Sequence, residues 1–164
     1  MTWFILECAK KYLMDGCVEM GSNIVNIVNK IERFIPNNDE WFDLEDILEE
    51  LFSSNNPQLG LDGMISIYEK YPDEDNDVLW GMLHGIEGIQ GYELKIIESI
   101  KRKPSFFGVL MINRILNTGI TSIQNINLIN ILNIAVNSPT ATEYVKVQVR
   151  RFLQRHLKSD YQNE

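Results

Sequence analysis

The run from Asp73 to Asp77, with the sequence DEDND, is the segment of this 164-residue chain that most resembles a metal-binding loop. Carboxylates at its alternate positions match the first half of an EF-hand calcium loop. Such a loop also needs glycine at its sixth position, for a sharp turn, and glutamate at its twelfth, as a bidentate ligand. This sequence has Val78 and His84 there, so we exclude an EF-hand and expect no bound metal.

A second group that could do chemistry is the pair His84 and Glu87, which lie three residues apart in a predicted helix. A histidine and a carboxylate at this spacing could exchange a proton or share a metal ion. No HExxH motif accompanies them, and the other histidine, His156, is distant in the sequence. We therefore expect His84 and Glu87 to be structural residues in the packed interior or at a helix junction.

The sequence contains neither a glycine-rich nucleotide-binding motif nor a recognisable nucleophile motif. Gly81, Gly85 and Gly88 fall on one helix face, which predicts close packing of another helix. Their spacing matches neither the dinucleotide fingerprint nor the P-loop, and the sequence has no GxSxG motif and no activated Cys–His pairing. We predict that the protein is not an enzyme and uses no cofactor.

Apolar residues recur every three or four positions along almost the whole chain, which is typical of amphipathic helices. The pattern predicts an all-α fold of about nine helices in a single domain, residues 1–164. The predicted helices span residues 2–14, 23–33, 43–53, 60–71, 77–88, 92–103, 105–118, 126–137 and 140–158.

Prolines divide this helical sequence at regular intervals. Pro36, Pro72, Pro104 and Pro139 are separated by 36, 32 and 35 residues, and each lies at the edge of a predicted helix. Two helices fit between successive prolines. The spacing predicts a right-handed stack of antiparallel helix pairs, an α-solenoid of the HEAT, armadillo or TPR type. Pro57 is predicted to lie in a loop within one such unit.

The charge of the chain restricts its partners. There are 23 acidic and 15 basic residues, so the net charge is −8. Between Glu32 and Asp77 there are fourteen acidic residues and only two basic ones, a local net charge of −12. Helix starts, where negative charge is stabilised, explain part of this excess. The remainder disfavours nucleic-acid and anionic-membrane partners and favours a basic protein.

The compartment is predicted from three further features. No apolar run reaches the roughly 18 residues of a transmembrane helix, and the first residues lack the pattern of a signal peptide. The two cysteines, Cys8 and Cys17, match no metal-cluster spacing and are expected to be free thiols. We expect a cytoplasmic protein that does not bind membranes.

The candidate binding residues lie in two parts of the acidic segment. Aromatic residues accompany the acids at Trp41 and Phe42, where a partly exposed tryptophan could anchor an interface. The alternative is that Trp41 packs within the chain at a helix entry, as a hydrophobic staple. The predicted interface residues are Asp39, Glu40, Trp41, Asp43, Glu45, Asp46, Asp73, Glu74, Asp75 and Asp77.

Two short motifs in residues 78–117 carry a family resemblance. The first is Leu-His-x-Ile-Glu at residues 83–87, and the second is Asn-Arg-Ile-Leu-Asn at residues 113–117, with a basic helix end and Pro104 between them. This part of the chain resembles all-α, HEAT-like immunity proteins of bacterial contact-dependent growth inhibition and polymorphic-toxin systems. The resemblance covers about a quarter of the chain.

The resemblance implies a non-catalytic inhibitor that forms a heterodimer with a cognate toxin domain in the bacterial cytoplasm. The implied toxin is a basic nuclease, an RNase in preference to a DNase, whose active-site cleft the acidic surface covers. The negative charge agrees with that implication, because a nuclease must attract polyanions. The alternative function is a helical-repeat adaptor or scaffold that binds a peptide or a host protein.

Overall fold

A computed structural model describes residues 23–38 and 40–160 of the chain. The structure divides into two compact units, Met1–Gly60 and Leu61–Glu164. Its described residues form eight α-helices, one 3-10 helix and one two-stranded sheet, so the predicted all-α fold is confirmed. The predicted helix at residues 2–14 and both cysteines lie outside the described residues.

The first unit contains helix α1 at residues 23–33, helix α2 at Phe42–Phe52 and a 3-10 helix at Pro57–Gly60. Its buried residues include Ile27 and Ile31 on α1 and Leu44, Leu48 and Leu51 on α2. They recur every three or four positions, as one buried face of a helix requires. The first unit therefore buries the faces that the sequence pattern predicts.

The second unit contains six helices and the small sheet. The helices are α3 at Leu61–Lys70, α4 at Asp77–Glu87, α5 at Tyr92–Arg102, α6 at Phe106–Asn117, α7 at Leu128–Asn137 and α8 at Glu143–Asp160. The strands are β1 at Ser122–Ile123 and β2 at Ile126–Asn127.

Helices of the second unit contact one another in two series. Consecutive helices pack as the pairs α3–α4, α5–α6 and α7–α8. Helix α5 also contacts α3 and α7, and helix α6 contacts α4 and α8. Helix α6 additionally contacts α3 and α7, which belong to the other series. This is the order of contacts that stacked helix pairs would have. The right-handed solenoid itself stays a prediction.

The four regularly spaced prolines each lie in a loop between consecutive helices. In the second unit these loops join the two helices of a packed pair, whereas the sequence spacing placed each pair between successive prolines. Pro36 lies between α1 and α2, Pro72 between α3 and α4, Pro104 between α5 and α6, and Pro139 between α7 and α8. A proline cannot continue a helix, and it disfavours helical geometry in the residue before it. The predicted helix boundaries at these prolines are confirmed. Pro57, predicted to lie in a loop, begins the 3-10 helix.

The hairpin formed by β1 and β2 departs from the sequence prediction, which assigned residues 126 and 127 to a helix. Gln124 and Asn125 both have positive φ angles, 44° and 64°, and they form the two-residue turn of the hairpin. Two consecutive residues with positive φ characterise the type I′ turn, whose twist matches that of paired strands. Asn127 then caps α7, so this helix begins at Leu128.

The predicted packing of a helix against the glycine face of α4 is wrong for two of the three glycines. A Cβ atom added to Gly81 would meet no atom of the described residues within 4 Å. One added to Gly88 would meet only backbone oxygens of the same helix end. Glycine spacing alone could not show this, because it does not reveal which face of a helix is buried.

An aromatic cluster lies in the core of the second unit. Tyr68 stacks on Phe107 with ring centroids 4.9 Å apart, and Trp80 meets Phe107 edge to face at 5.4 Å. The Tyr68 hydroxyl donates a hydrogen bond of 2.9 Å to the carbonyl oxygen of Leu79. Burial raises the pKa of Tyr68 well above its ordinary value, and the nearby Glu87 adds to this effect. The phenol therefore remains a neutral donor that joins α3 to α4.

Candidate protein-binding surface

The solvent-facing side of α2 is strongly acidic. Leu44, Leu48 and Leu51 occupy the buried side of this helix. The opposite side carries four exposed acidic residues, with the exposed ring of Phe42 at the N-terminal end of the helix; we call these five residues the α2 acidic face. Its acidic members are Asp43, Glu45, Asp46 and Glu49.

Two adjacent aromatic residues at the start of α2 have opposite environments. Phe42 is 68% exposed, whereas Trp41 is 7% exposed and packs against Phe34 with ring centroids 5.5 Å apart. Trp41 is therefore not the partly exposed tryptophan that one interpretation of the sequence required. Its burial favours the alternative, a packing role within the chain. Phe42 is the aromatic side chain available to a partner.

Little positive charge offsets the acidic residues of α2 within the described part of the chain. Lys30 on α1 forms a salt bridge with Glu50, with Nζ 3.0 Å from Oε2. No other acidic residue of α2 has a salt bridge to a described residue. The whole first unit has eleven acidic and four basic residues, a net charge of −7.

The second unit has twelve acidic and eleven basic residues, so its net charge is −1. The acidic excess of the protein therefore lies in the first unit. From the sequence, the segment from Glu32 to Asp77 is a single acidic region. In the structure, the boundary at Gly60 divides this segment between the two units.

The second group of predicted interface residues, Asp73 to Asp77, is exposed but partly engaged within the chain. Asp73 accepts a hydrogen bond from the hydroxyl of Thr142, and Asp75 accepts one of 2.7 Å from the indole nitrogen of Trp80. Asp77 lies in the first turn of α4, where it interacts favourably with the helix dipole. Glu74 is exposed. Partner binding by these four acidic residues stays a prediction.

The first group of predicted interface residues begins in the turn before α2. Glu40 is exposed, and its backbone N–H donates a hydrogen bond of 2.9 Å to the carbonyl of Asn37. Asn38 within this turn has a φ angle of 50°, a conformation that asparagine tolerates better than most residues. Asp39 lies outside the described residues.

The two motifs that carry the family resemblance meet through an ion pair between α4 and α6. The Arg114 guanidinium contacts Glu87 through two bonds, Nε to Oε1 at 2.6 Å and Nη2 to Oε2 at 3.0 Å. The side chain of Glu87 is 21% exposed and that of Arg114 is 41% exposed. The hydrogen bond to Glu87 raises the pKa of Arg114. Glu87 thus lies at a helix junction, as predicted.

His84 does not lie in the packed interior, which is one of the two positions expected from the sequence. Its side chain is 62% exposed, and its Nδ1 atom is 3.6 Å from Oε2 of Glu87. His84 is on the outer side of α4, where the carboxylate of Glu87 is already engaged by Arg114.

A further polar contact in the second unit, between His156 and Asn113, could not be predicted from the sequence. His156 on α8 lies with Nε2 3.0 Å from Oδ1 of Asn113 on α6, and Asn113 is buried. The two residues are 43 positions apart. Among the described residues no cluster of three or more His, Cys, Asp or Glu side chains could hold a metal ion.

The acidic surface can attract and orient a basic protein, because the four carboxylates of the α2 acidic face are solvent-exposed and adjacent. The exposed ring of Phe42 offers apolar area at the N-terminal end of that acidic face. None of the described helices is long and apolar enough to cross a lipid bilayer. This chain matches no protein-family model, no curated protein and no solved structure.

Proposed function

We propose that this protein is a bacterial immunity protein that binds and neutralises a basic toxin domain, a nuclease, through its acidic surface. The observation that carries the proposal is the α2 acidic face, with four exposed carboxylates and an exposed phenylalanine at the start of the helix. A nuclease cleft must be positively charged to hold nucleic acid. The α2 acidic face has the opposite charge, so it would compete with nucleic acid for the same cleft.

Electrostatics and apolar contact would have different roles in such a complex. Exposed carboxylates would steer the partner and increase the association rate constant, an effect that salt weakens. Phe42 would be buried on binding and would slow dissociation, as central aromatic residues do in protein interfaces. The proposal therefore predicts separate kinetic effects for the two kinds of residue.

Co-expression tests the function directly. The protein is expressed in bacteria together with the toxin-domain product of the adjacent upstream reading frame, and growth and co-purification are measured. Rescue of growth with a stoichiometric complex is expected. If both proteins are soluble and neither rescue nor a complex is found, the proposal is wrong. Reproducible co-purification of host proteins instead would favour the adaptor function.

Charge reversal on α2 tests the binding surface. The double variant Asp46→Lys/Glu49→Lys is compared with Asp62→Lys/Glu98→Lys, which changes the net charge equally at exposed positions of the second unit. The α2 variant should lower the association rate constant by about tenfold at low salt and flatten its salt dependence. The control should lower it much less. Equal effects of the two variants would remove α2 from the interface.

Phe42→Ser tests the proposed anchor. Because Phe42 is exposed in the free protein, the substitution should leave the helical circular dichroism and the unfolding midpoint unchanged. We expect the complex to dissociate about tenfold faster with little change in the association rate. An unchanged dissociation rate would show that Phe42 lies outside the interface.

A further inference from the structure

An open cleft of about 350 Å³ lies in the second unit, where α4 ends, α5 begins and α6 is followed by β1. Its lining includes Glu87, Tyr92, Glu93 and Arg114 as polar groups and Ile120 and Ile123 as apolar ones. This cleft is distinct from the α2 acidic face. Its lining combines aliphatic side chains and an aromatic ring with a few polar groups, as binding pockets commonly do.

The electrostatics of the cleft favour a cation. Glu87, Glu93 and Arg114 line it, a net charge of −1. Glu87 and Arg114 neutralise each other through their two hydrogen bonds, so Glu93 is the lining carboxylate left to attract a cation. Glu93 lies in the first turn of α5, where it offsets the positive end of that helix. The C-terminal ends of α4 and α6, at Glu87 and Asn117, add the partial negative charge of their last carbonyl groups.

The apolar part of the cleft suits an alkyl chain. Ile120 is 48% exposed, and the two-residue turn at Gln124 and Asn125 fixes the strand that carries Ile123. Tyr92 is half-buried and adds an aromatic ring, which attracts cations through its π electrons. Burial and the nearby carboxylates raise the pKa of Tyr92 to about 12. Its hydroxyl is therefore a neutral donor, and it adds no negative charge near neutral pH.

We propose that this cleft receives a lysine or arginine side chain of the protein partner, with the cationic end near Glu93 and the alkyl stem against Ile120 and Ile123. The inference rests on the proposed function and adds a second contact to it. A basic partner presents such side chains, and charge complementarity selects them over acidic ones.

A small-molecule probe tests the chemistry of the cleft without the partner. Butylguanidinium carries the charge and stem of an arginine side chain, and butylurea is its neutral counterpart. In titrations followed by two-dimensional amide NMR, butylguanidinium should give saturable shifts at residues 87, 92, 93 and 117. Butylurea should bind the protein at least about fivefold more weakly than butylguanidinium. The Glu93→Gln variant should bind butylguanidinium at least about fivefold more weakly than the unaltered protein. Absent shifts, or equal binding of the two probes, would overturn the proposal.

The affinity of the intact complex tests whether the cation in the cleft comes from the protein partner. Glu93→Lys places a competing cation in the cleft and should raise the Kd of the complex by about tenfold. Glu98→Lys, on the same helix outside the cleft lining, is the matched control and should change the Kd by less than about twofold. Circular dichroism and urea unfolding confirm that both variants are folded.

The outcomes separate this inference from the proposed function. A complex that forms normally with Glu93→Lys would overturn the cleft proposal and leave toxin neutralisation standing. Specific binding of butylguanidinium without any toxin complex would support the cation chemistry of the cleft and defeat toxin neutralisation. Both proposals would be supported if Glu93→Lys weakens the toxin complex, Glu98→Lys does not, and butylguanidinium binds the cleft.

Discussion

At the scale of single residues, Glu87 and Arg114 form the one ion pair among the described residues that is joined by two hydrogen bonds. A guanidinium and a carboxylate with two parallel hydrogen bonds form a charge-assisted pair of fixed geometry. The pair joins α4 to α6 and lines the cation cleft. Because Arg114 is 41% exposed, water screens part of this interaction.

A double-mutant cycle measures the strength of this pair. With Glu87→Gln and Arg114→Met, we expect a coupling free energy of about 1–2 kcal/mol in urea unfolding, because both hydrogen bonds carry charge and Glu87 is mostly buried. The control is the exposed pair Asp62–Lys95, for which Asp62→Asn and Lys95→Met should couple by about 0.5 kcal/mol or less. Equal coupling in the two cycles would contradict the structural importance of Glu87 and Arg114.

At the scale of helices, the N-terminal ends show how local sequence fixes the fold. Asn76, Ser105, Asn127 and Thr142 each precede a helix, and each side-chain oxygen accepts a hydrogen bond from the backbone N–H three residues later. These bonds satisfy donors that the helix leaves without an internal partner. Helix α2 differs, since Trp41 at its start makes no such bond.

Removal of one cap should therefore destabilise the protein. Ser105 is buried, and its Oγ accepts a hydrogen bond of 3.2 Å from the backbone N–H of Gly108. Ser105→Ala should lower the free energy of unfolding by about 1–2 kcal/mol in urea denaturation. The matched control is Ser66→Ala within α3, where Ser66 bonds to its own helix and alanine favours helix formation. This control should change the free energy by less than about 0.5 kcal/mol.

At the scale of the whole molecule, two features of the structure differ between the units. The first unit carries a net charge of −7 and the second unit a net charge of −1, although the second unit is the longer of the two. The second unit is also the larger one, and larger units bury a greater fraction of their surface. Self-repulsion between like charges should further lower the stability of the first unit.

Hydrogen exchange measured by mass spectrometry tests this difference. We expect the amides of α1 and α2 to open with a free energy at least about 1 kcal/mol lower than those of α5 and α6. Added salt should narrow the difference, because it screens the repulsion in the first unit. Identical opening free energies in all four helices would instead show the single cooperative domain that the sequence predicts.

The helices and the sign of the charge could be derived from the sequence because both are local or additive properties. Apolar spacing depends on residues within a few turns, so it located α2 to α6 to within two residues at each end. A proline acts on its own backbone and on the residue before it, so the four loops at Pro36, Pro72, Pro104 and Pro139 were also predictable. The helical phase of Leu44, Leu48 and Leu51 already places Phe42 on the opposite side, a signal that the sequence interpretation missed.

Only the tertiary structure decided which side chains meet. Glu87 and Arg114 are 27 residues apart, and Asp73 and Thr142 are 69 apart. No periodicity relates such pairs, because their distance depends on how the helices pack. The same packing buries Trp41, exposes His84 and divides the acidic segment between two units. Sequence alone thus determined the helices and the overall charge, whereas long-range packing determined the surfaces that a partner can contact.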